Sequence, residues 1–230
     1  MLRPPGHPER DQTLHRLASS LVYKYCKDGE ITQLDEAVNL YRQALSLRPQ
    51  GHPEQAHTIH KLASSLVFNY SKIGEVADLE DAIDLYRQTL ALRPQGHSKR
   101  DLTLSDLASS LVYKYRKHGK VADLDEVIGL YRQVLLLRPQ GHLERYKPLH
   151  RLAVSLRWKY QSQGDIADLD EAITLYQQEL ALLAVDGYKH SDITAELERL
   201  KVERLTVLRK RDSKWNTLRE PKLAPSTHRC

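Results

Sequence analysis

Histidine and cysteine are the residues of this 230-residue chain best suited to chemistry, and the histidines are regularly placed. His7, His52, His97 and His142 each follow a glycine, inside LRPPGH at 2–7 and LRPQGH at 47–52, 92–97 and 137–142. Imidazoles serve as metal ligands or general bases. A metal requires its ligands to converge within about 2–2.6 Å of one ion. Equivalent positions of stacked helical units lie roughly 8–10 Å apart, so these four form a row and not a cluster. Each is therefore expected to cap the next helix or order a turn. His15, His60 and His150 form a second set, with Ser105 in the remaining place, and the same spacing disqualifies them as joint ligands. Cys26 lacks an oriented base: His15 is eleven residues earlier, about three turns down the same helix. The acid pairs Asp35-Glu36 and Asp125-Glu126 fall at helix starts, where the helix dipole accounts for them. GxSxG, HExxH, Walker A and dinucleotide-type glycine patterns are all missing. The sequence thus predicts no catalytic residue, no metal ligand, no cofactor and no enzyme.

The elements that position these residues repeat every 45 positions. LASSLVYKY at 17–25 returns as LASSLVFNY, LASSLVYKY and LAVSLRWKY. LDEAVNLYRQALSLRP at 34–49 returns three times in the same register. Leu14, Leu17, Ala18, Leu21 and Tyr25 share one helical face, as do Leu34, Ala37, Val38, Tyr41, Ala44 and Leu45. Pro8 and Pro53 suit a first helical turn. Gly29, Gly74, Gly119 and Gly164 suit a helix end. Asp78, Asp123 and Asp168, each with an acid three residues on, resemble capping boxes. Arg48-Pro49-Gln50-Gly51 closes the second helix. Each unit reads as a helical hairpin that buries its apolar face only by stacking on neighbours.

Ala37, Tyr41, Ala44 and Pro49 have the spacing A-x3-[FY]-x2-A-x4-P, which resembles the second half of the tetratricopeptide (TPR) signature. Leu17-Ala18 followed by Leu21 is similar to its first half, with Ala for Gly and Leu for Tyr. The period is longer than the usual 34. Thr89, Val134 and Glu179 replace Ala44, and Ala184 stands where Pro is expected. The resemblance implies an all-α, TPR-like α-solenoid of four hairpins, at about 5–49, 50–94, 95–139 and 140–184. A capping helix at 185–211 and a basic, unstructured tail at 212–230 follow. The pattern is also similar to fungal TPR arrays that precede a CHAT domain, a caspase-like peptidase fold. The 46 residues after position 184 are too few to hold one.

In TPR proteins the first helices line a concave groove. Carried to this sequence, that implies a partner-binding face of His15, Ser19 and Tyr23; His60, Ser64 and Phe68; Ser109 and Tyr113; and His150, Arg157 and Trp158. Gln12, His57, Leu102 and Lys147 lie on the same register. Each unit contributes one aromatic, which either anchors a peptide or packs between first helices. The expected function is a non-catalytic scaffold for a protein or peptide partner. One alternative is the shortened regulatory part of a CHAT-family protein. Another is nucleic-acid binding through the C-terminal end, where residues 199–230 carry 10 Lys/Arg against 3 Asp/Glu; the interrupted charges and the lack of an aromatic ladder argue for a solvated tail. No apolar run approaches 18 residues, no signal-peptide pattern is present, and only Cys26 and Cys230 occur. A cytoplasmic, soluble protein without membrane contact is expected. The seam at 2–7 with no helix before it suggests a shortened array, an apolar outer face on the first hairpin, and self-association there.

Overall fold

The computed structural model describes the backbone of residues 3–185 and 191–219, and the side chains of 3–184 and 191–211. Nine α-helices and no strand occur among the described residues. They are α1 (Arg10–Asp28), α2 (Ile31–Ser46), α3 (Gln55–Ile73), α4 (Val76–Leu92), α5 (Arg100–His118), α6 (Val121–Leu137), α7 (Tyr146–Gln163), α8 (Ile166–Val185) and α9 (Ser191–Arg219). The chain divides into two compact units, Met1–Pro148 and Leu149–Cys230.

In the first unit α1 pairs with α2, α3 with α4 and α5 with α6. Each hairpin then meets the next through α2 against α3 and α4 against α5. Gly29, Gly74 and Gly119 end the first helices in the left-handed conformation, donating N–H to the carbonyls of Tyr25, Tyr70 and Tyr115. Ala18, Ala63 and Ala108 are fully buried, which lets the two helices of a hairpin approach closely. Tyr41, Tyr86 and Tyr131 fill the space beside them and are equally buried. Each fully buried leucine adds roughly 1.5–3 kcal/mol by leaving water.

Three local expectations need correction. The second helices start at Val76, Val121 and Ile166, two residues before the anticipated caps. Asp78, Asp123 and Asp168 therefore lie inside the first turn and contribute through the dipole. Pro8 and Pro53 precede their helices, which begin at Arg10 and Gln55. The last helix begins at Ser191 and reaches Arg219, so it overruns the end expected at 211 and takes in part of the anticipated unstructured tail; residues 220–230 lie outside the described residues.

Leu17 and Leu21 are half-buried, whereas their counterparts Leu62, Leu66, Leu107 and Leu111 are buried. Thr13, Ser20 and Lys24 share that face of α1; their counterparts Thr58, Ser65 and Asn69 are buried. The outer face of the first hairpin is thus mixed, with two leucines among polar groups.

In the second unit α7 and α8 meet through His150 and Tyr176, whose rings lie 5.8 Å apart. Helix α9 packs on α8, burying Leu197 and Leu200. The Arg204–Asp170 pair joins α9 to α8 at the same sequence separation, 34, as Asn69 to Asp35 joins α3 to α2. Helix α9 therefore occupies the place of a further first helix in unbroken register.

Candidate functional site

The glycine–histidine motif is a double turn. His52 donates its N–H to the Pro49 carbonyl at 3.0 Å, and Gln55 donates to the His52 carbonyl at 2.9 Å. The same pair of bonds recurs at His7, His97 and His142. The imidazole Nδ1 of each accepts the backbone N–H two residues on, in Glu9, Glu54, Lys99 and Glu144, at 3.1–3.2 Å. These histidines satisfy donors that a helix start leaves open, as the sequence suggested. Among the described residues no group of three or more His, Cys, Asp or Glu side chains is arranged to hold a metal.

The turn needs a positive φ, 89° at Gly96. A Cβ there would meet nothing within 4 Å, so the penalty for a side chain is torsional. Gly96→Ala is expected to cost about 1–2 kcal/mol. Gly129, inside α6 with equal room, is expected to gain about 0.5–1 kcal/mol on the same change. Thermal unfolding of the two variants compares them directly.

The arginine of each seam is the hub that sequence reading missed. Arg48, Arg93 and Arg138 are buried, at 3%, 2% and 4% exposure. Arg48 Nε donates to Asp11 Oδ2 at 2.7 Å, and its Nη1 bonds the Glu54 carbonyl and Thr58 Oγ1. Arg138 donates to Asp101 Oδ2 at 2.8 Å. Arg48 thus ties the start of its own hairpin to the start of the next, and Arg138 ties Asp101 to the seam at the Glu144 carbonyl. Burial raises the Asp11 pKa, but the hydrogen bonds from Arg48 and the Gln12 N–H and the nearby positive charge outweigh it, leaving the carboxyl below its usual range. Arg93 reaches Thr103 at 2.6 Å and the Lys99 carbonyl, yet its Nε is buried without a partner. Ala56 stands where Asp11 and Asp101 stand in the flanking hairpins. That mismatch was visible in the sequence once the arginine was known to point inward.

The expected partner face divides into a locked layer and an exposed layer. Ser19 and Ser64 donate to the carbonyls of His15 and His60, and lie 2.9 and 3.0 Å from the hydroxyls of Tyr41 and Tyr86. Ser109 repeats the arrangement with Tyr131 at 3.3 Å. His15 is buried, edge-on to Tyr41 at 5.3 Å. His60 stands edge-on to Tyr86 at 5.3 Å, with Nε2 3.3 Å from Asp106. Tyr23, Phe68 and Tyr113 stand outside this layer, at 76%, 39% and 36% exposure. Phe68 leans on Tyr25 at 6.1 Å and Tyr113 on Tyr70 at 5.9 Å. The aromatics are thus partly packed between first helices and partly open.

In the second unit His150 Nδ1 donates to Glu179 Oε2 at 3.0 Å. Glu179 is 2% exposed at the position of Ala44, so this pair explains a departure from the repeat pattern. Arg157 donates to Glu196 of α9, which also receives Arg199. The Arg157 cation therefore already has a carboxylate. Trp158 is half-buried. A cleft of about 490 Å³ between α8 and α9 is lined by Ile173, Gln177, Lys201, Leu205 and the Asp170–Arg204 pair.

No protein-family model matches the chain, and no curated protein does. Solved structures match over nearly the whole length. Nearly identical TPR-like repeats from Podosopora anserina, assigned as a kinesin light chain, share 22% identity at a TM-score of 0.59, with 94% of each chain covered. The MamA protein shares 16% identity at 0.55, covering 95% of this chain and 100% of that one. BtubC from P. vanneervenii shares 13% at 0.51, covering 96% and 94%.

Proposed function

We propose that this chain, whose fold class is the all-α TPR-like solenoid, is a non-catalytic scaffold that holds a protein or peptide partner on its first helices. Helical repeat folds of this kind present rigid surfaces, so a partner docks without ordering the host. On the first unit the face consists of His15, Ser19 and Tyr23, then His60, Ser64 and Phe68, then Ser109 and Tyr113. His150, Arg157 and Trp158 give the second unit its own face.

The observation that carries this reading is the contrast within α1, α3 and α5. A serine, with a histidine beside it in α1 and α3, is fixed against a buried tyrosine, while an aromatic nearby keeps a third or more of its surface in water. Large rings on a fixed backing lose little entropy on binding, and such rings dominate binding energy at interfaces. The acid partners of Arg199, Lys201 and Arg204 argue against a bare cationic face along that part of α9. No described helix is long and apolar enough to cross a membrane.

The test uses a library of random peptides displayed on phage, panned against the whole chain. Enriched peptides are then measured against a Tyr23→Ala/Phe68→Ala/Tyr113→Ala variant with unchanged circular dichroism. Binding is expected to weaken by at least about tenfold. Equal binding to both proteins contradicts the assignment.

A further inference from the structure

One contact between titratable side chains has a consequence that neither the helix caps nor the partner face accounts for. His15 of α1 and His57 of α3 stack with ring centroids 5.0 Å apart, at the contact between the first and second hairpins. His15 is buried, with Nδ1 3.2 Å from the hydroxyl oxygen of Thr58. That hydroxyl also receives the Arg48 guanidinium, itself buried. His57 is half-buried and its Nδ1 is shut from water with no partner.

We propose that the contact between α1 and α3 is an acid-sensitive joint, closed while His15 and His57 are both neutral and opened when they take up protons. The surroundings offer these rings little counter-charge. On α2 and its seam they face Tyr41 and the cation Arg48. From α3 come Lys61 and, just before the helix, Glu54, a carboxylate that favours their charged forms. The seam after α4 contributes Arg93, and the start of α5 contributes Lys99. Neither ring pairs with a carboxylate among the described residues. The other first-helix histidines differ: Asp106 lies 3.3 Å from His60, and Glu179 lies 3.0 Å from His150. In the third hairpin the same places hold Leu102 and Ser105, so the next contact has no such pair.

The direction follows from solvation and charge. Burial first, then the neighbouring ring and Arg48, holds His15 down to about 4. Burial first, then Lys99 and Lys61, does the same for His57, also to about 4. Released from the joint, both titrate near the ordinary value of about 6.5. The opened form therefore binds more protons between the two values. The joint is fully stable above about 6.5 and weakens as pH falls through that window toward about 4. Any consequence for a partner held across α1 and α3 rests on the proposed function; the joint itself does not.

The experiment is amide hydrogen exchange by mass spectrometry on the whole chain between about pH 7.5 and pH 5, corrected for intrinsic rates. Protection of α1 is expected to fall by about tenfold or more, while α5 and α6 change by less than about threefold. His15→Gln/His57→Leu should flatten the response of α1, and His60→Gln should leave it in place. Uniform loss across all helices, or a response unchanged in the double variant, overturns the proposal. Proton NMR titration of the wild-type imidazoles decides the matter even if the double variant does not fold. Values for His15 and His57 well below those of the other histidines support the joint, and values near the ordinary 6.5 overturn it. No peptide is added in either arm, so failure of the joint and failure of the partner face are read separately.

Discussion

Asp101→Ala is expected to destabilise the first unit by about 3 kcal/mol, because it strands the buried Arg138 guanidinium. The figure sits at the low end for a broken buried pair. Asp101 keeps some contact with water, at 18% side-chain exposure, and Arg138 retains the Glu144 carbonyl and, at 3.7 Å, the Glu144 carboxylate. Asp11→Ala should behave alike through Arg48. The converse change is more informative. Arg93 already lacks this carboxylate, and Ala56→Asp places one in the first turn of α3, where both the unpartnered Nε and the helix dipole favour it. A gain of about 1–2 kcal/mol is expected. Urea unfolding should show a higher midpoint at unchanged slope. In an Arg93→Met background the gain should shrink to the dipole's share, about 0.3–1 kcal/mol, since the rest belongs to the pair. An equal gain in both backgrounds would assign the effect to the dipole alone.

The second large effect concerns the tyrosines between hairpins. Tyr86 is 2% exposed, edge-on to His60, with its hydroxyl 3.0 Å from Ser64. Burial drives its ionisation well above the ordinary range, so the ring remains neutral at any physiological pH. Tyr86→Ala removes a whole ring from a packed layer and is expected to cost about 3–5 kcal/mol. Tyr86→Phe keeps the volume and gives up one hydrogen bond, at about 1 kcal/mol. The phenylalanine change is mild because Ser64 still donates to the His60 carbonyl. Calorimetry on the pair separates volume from polarity. A Tyr86→Phe loss as large as the alanine loss would mean that the hydroxyl holds the layer together.

Much of the fold was legible because its causes are local. A 3.6-residue apolar period, a left-handed glycine and a 45-residue recurrence each leave a mark in consecutive residues. Gly29, Gly74 and Gly119 end their helices where the sequence places them. His7, His52, His97 and His142 read as capping the next helix or ordering a turn, and each accepts a backbone N–H just before a helix. What stayed hidden depends on contacts between hairpins. Arg48 reads as a helix-end cation on the surface, but its side chain turns inward to Asp11, 37 residues away. Glu179 reads as a fault in the repeat until His150 is found beside it. The reach of α9 to Arg219 was obscured because its charged residues dilute the apolar stripe, although Leu197 keeps the register of Leu62.

The partner face has the same mixed character. Register placed Tyr23, Phe68 and Tyr113 on one side of the first helices, but only packing sets how much of each ring remains open. Tyr25 and Tyr70 cover part of Phe68 and Tyr113. Tyr23 has the greatest exposure of the three.

The most direct measurement is a hydrogen-exchange footprint of the whole chain with and without a peptide selected from the random library. The scaffold reading predicts added protection in α1, α3 and α5, centred on the turns that carry Tyr23, Phe68 and Tyr113, and little change in α2, α4 and α6. Protection confined to the second helices, or unaltered by replacing the three aromatics with alanine, would contradict it.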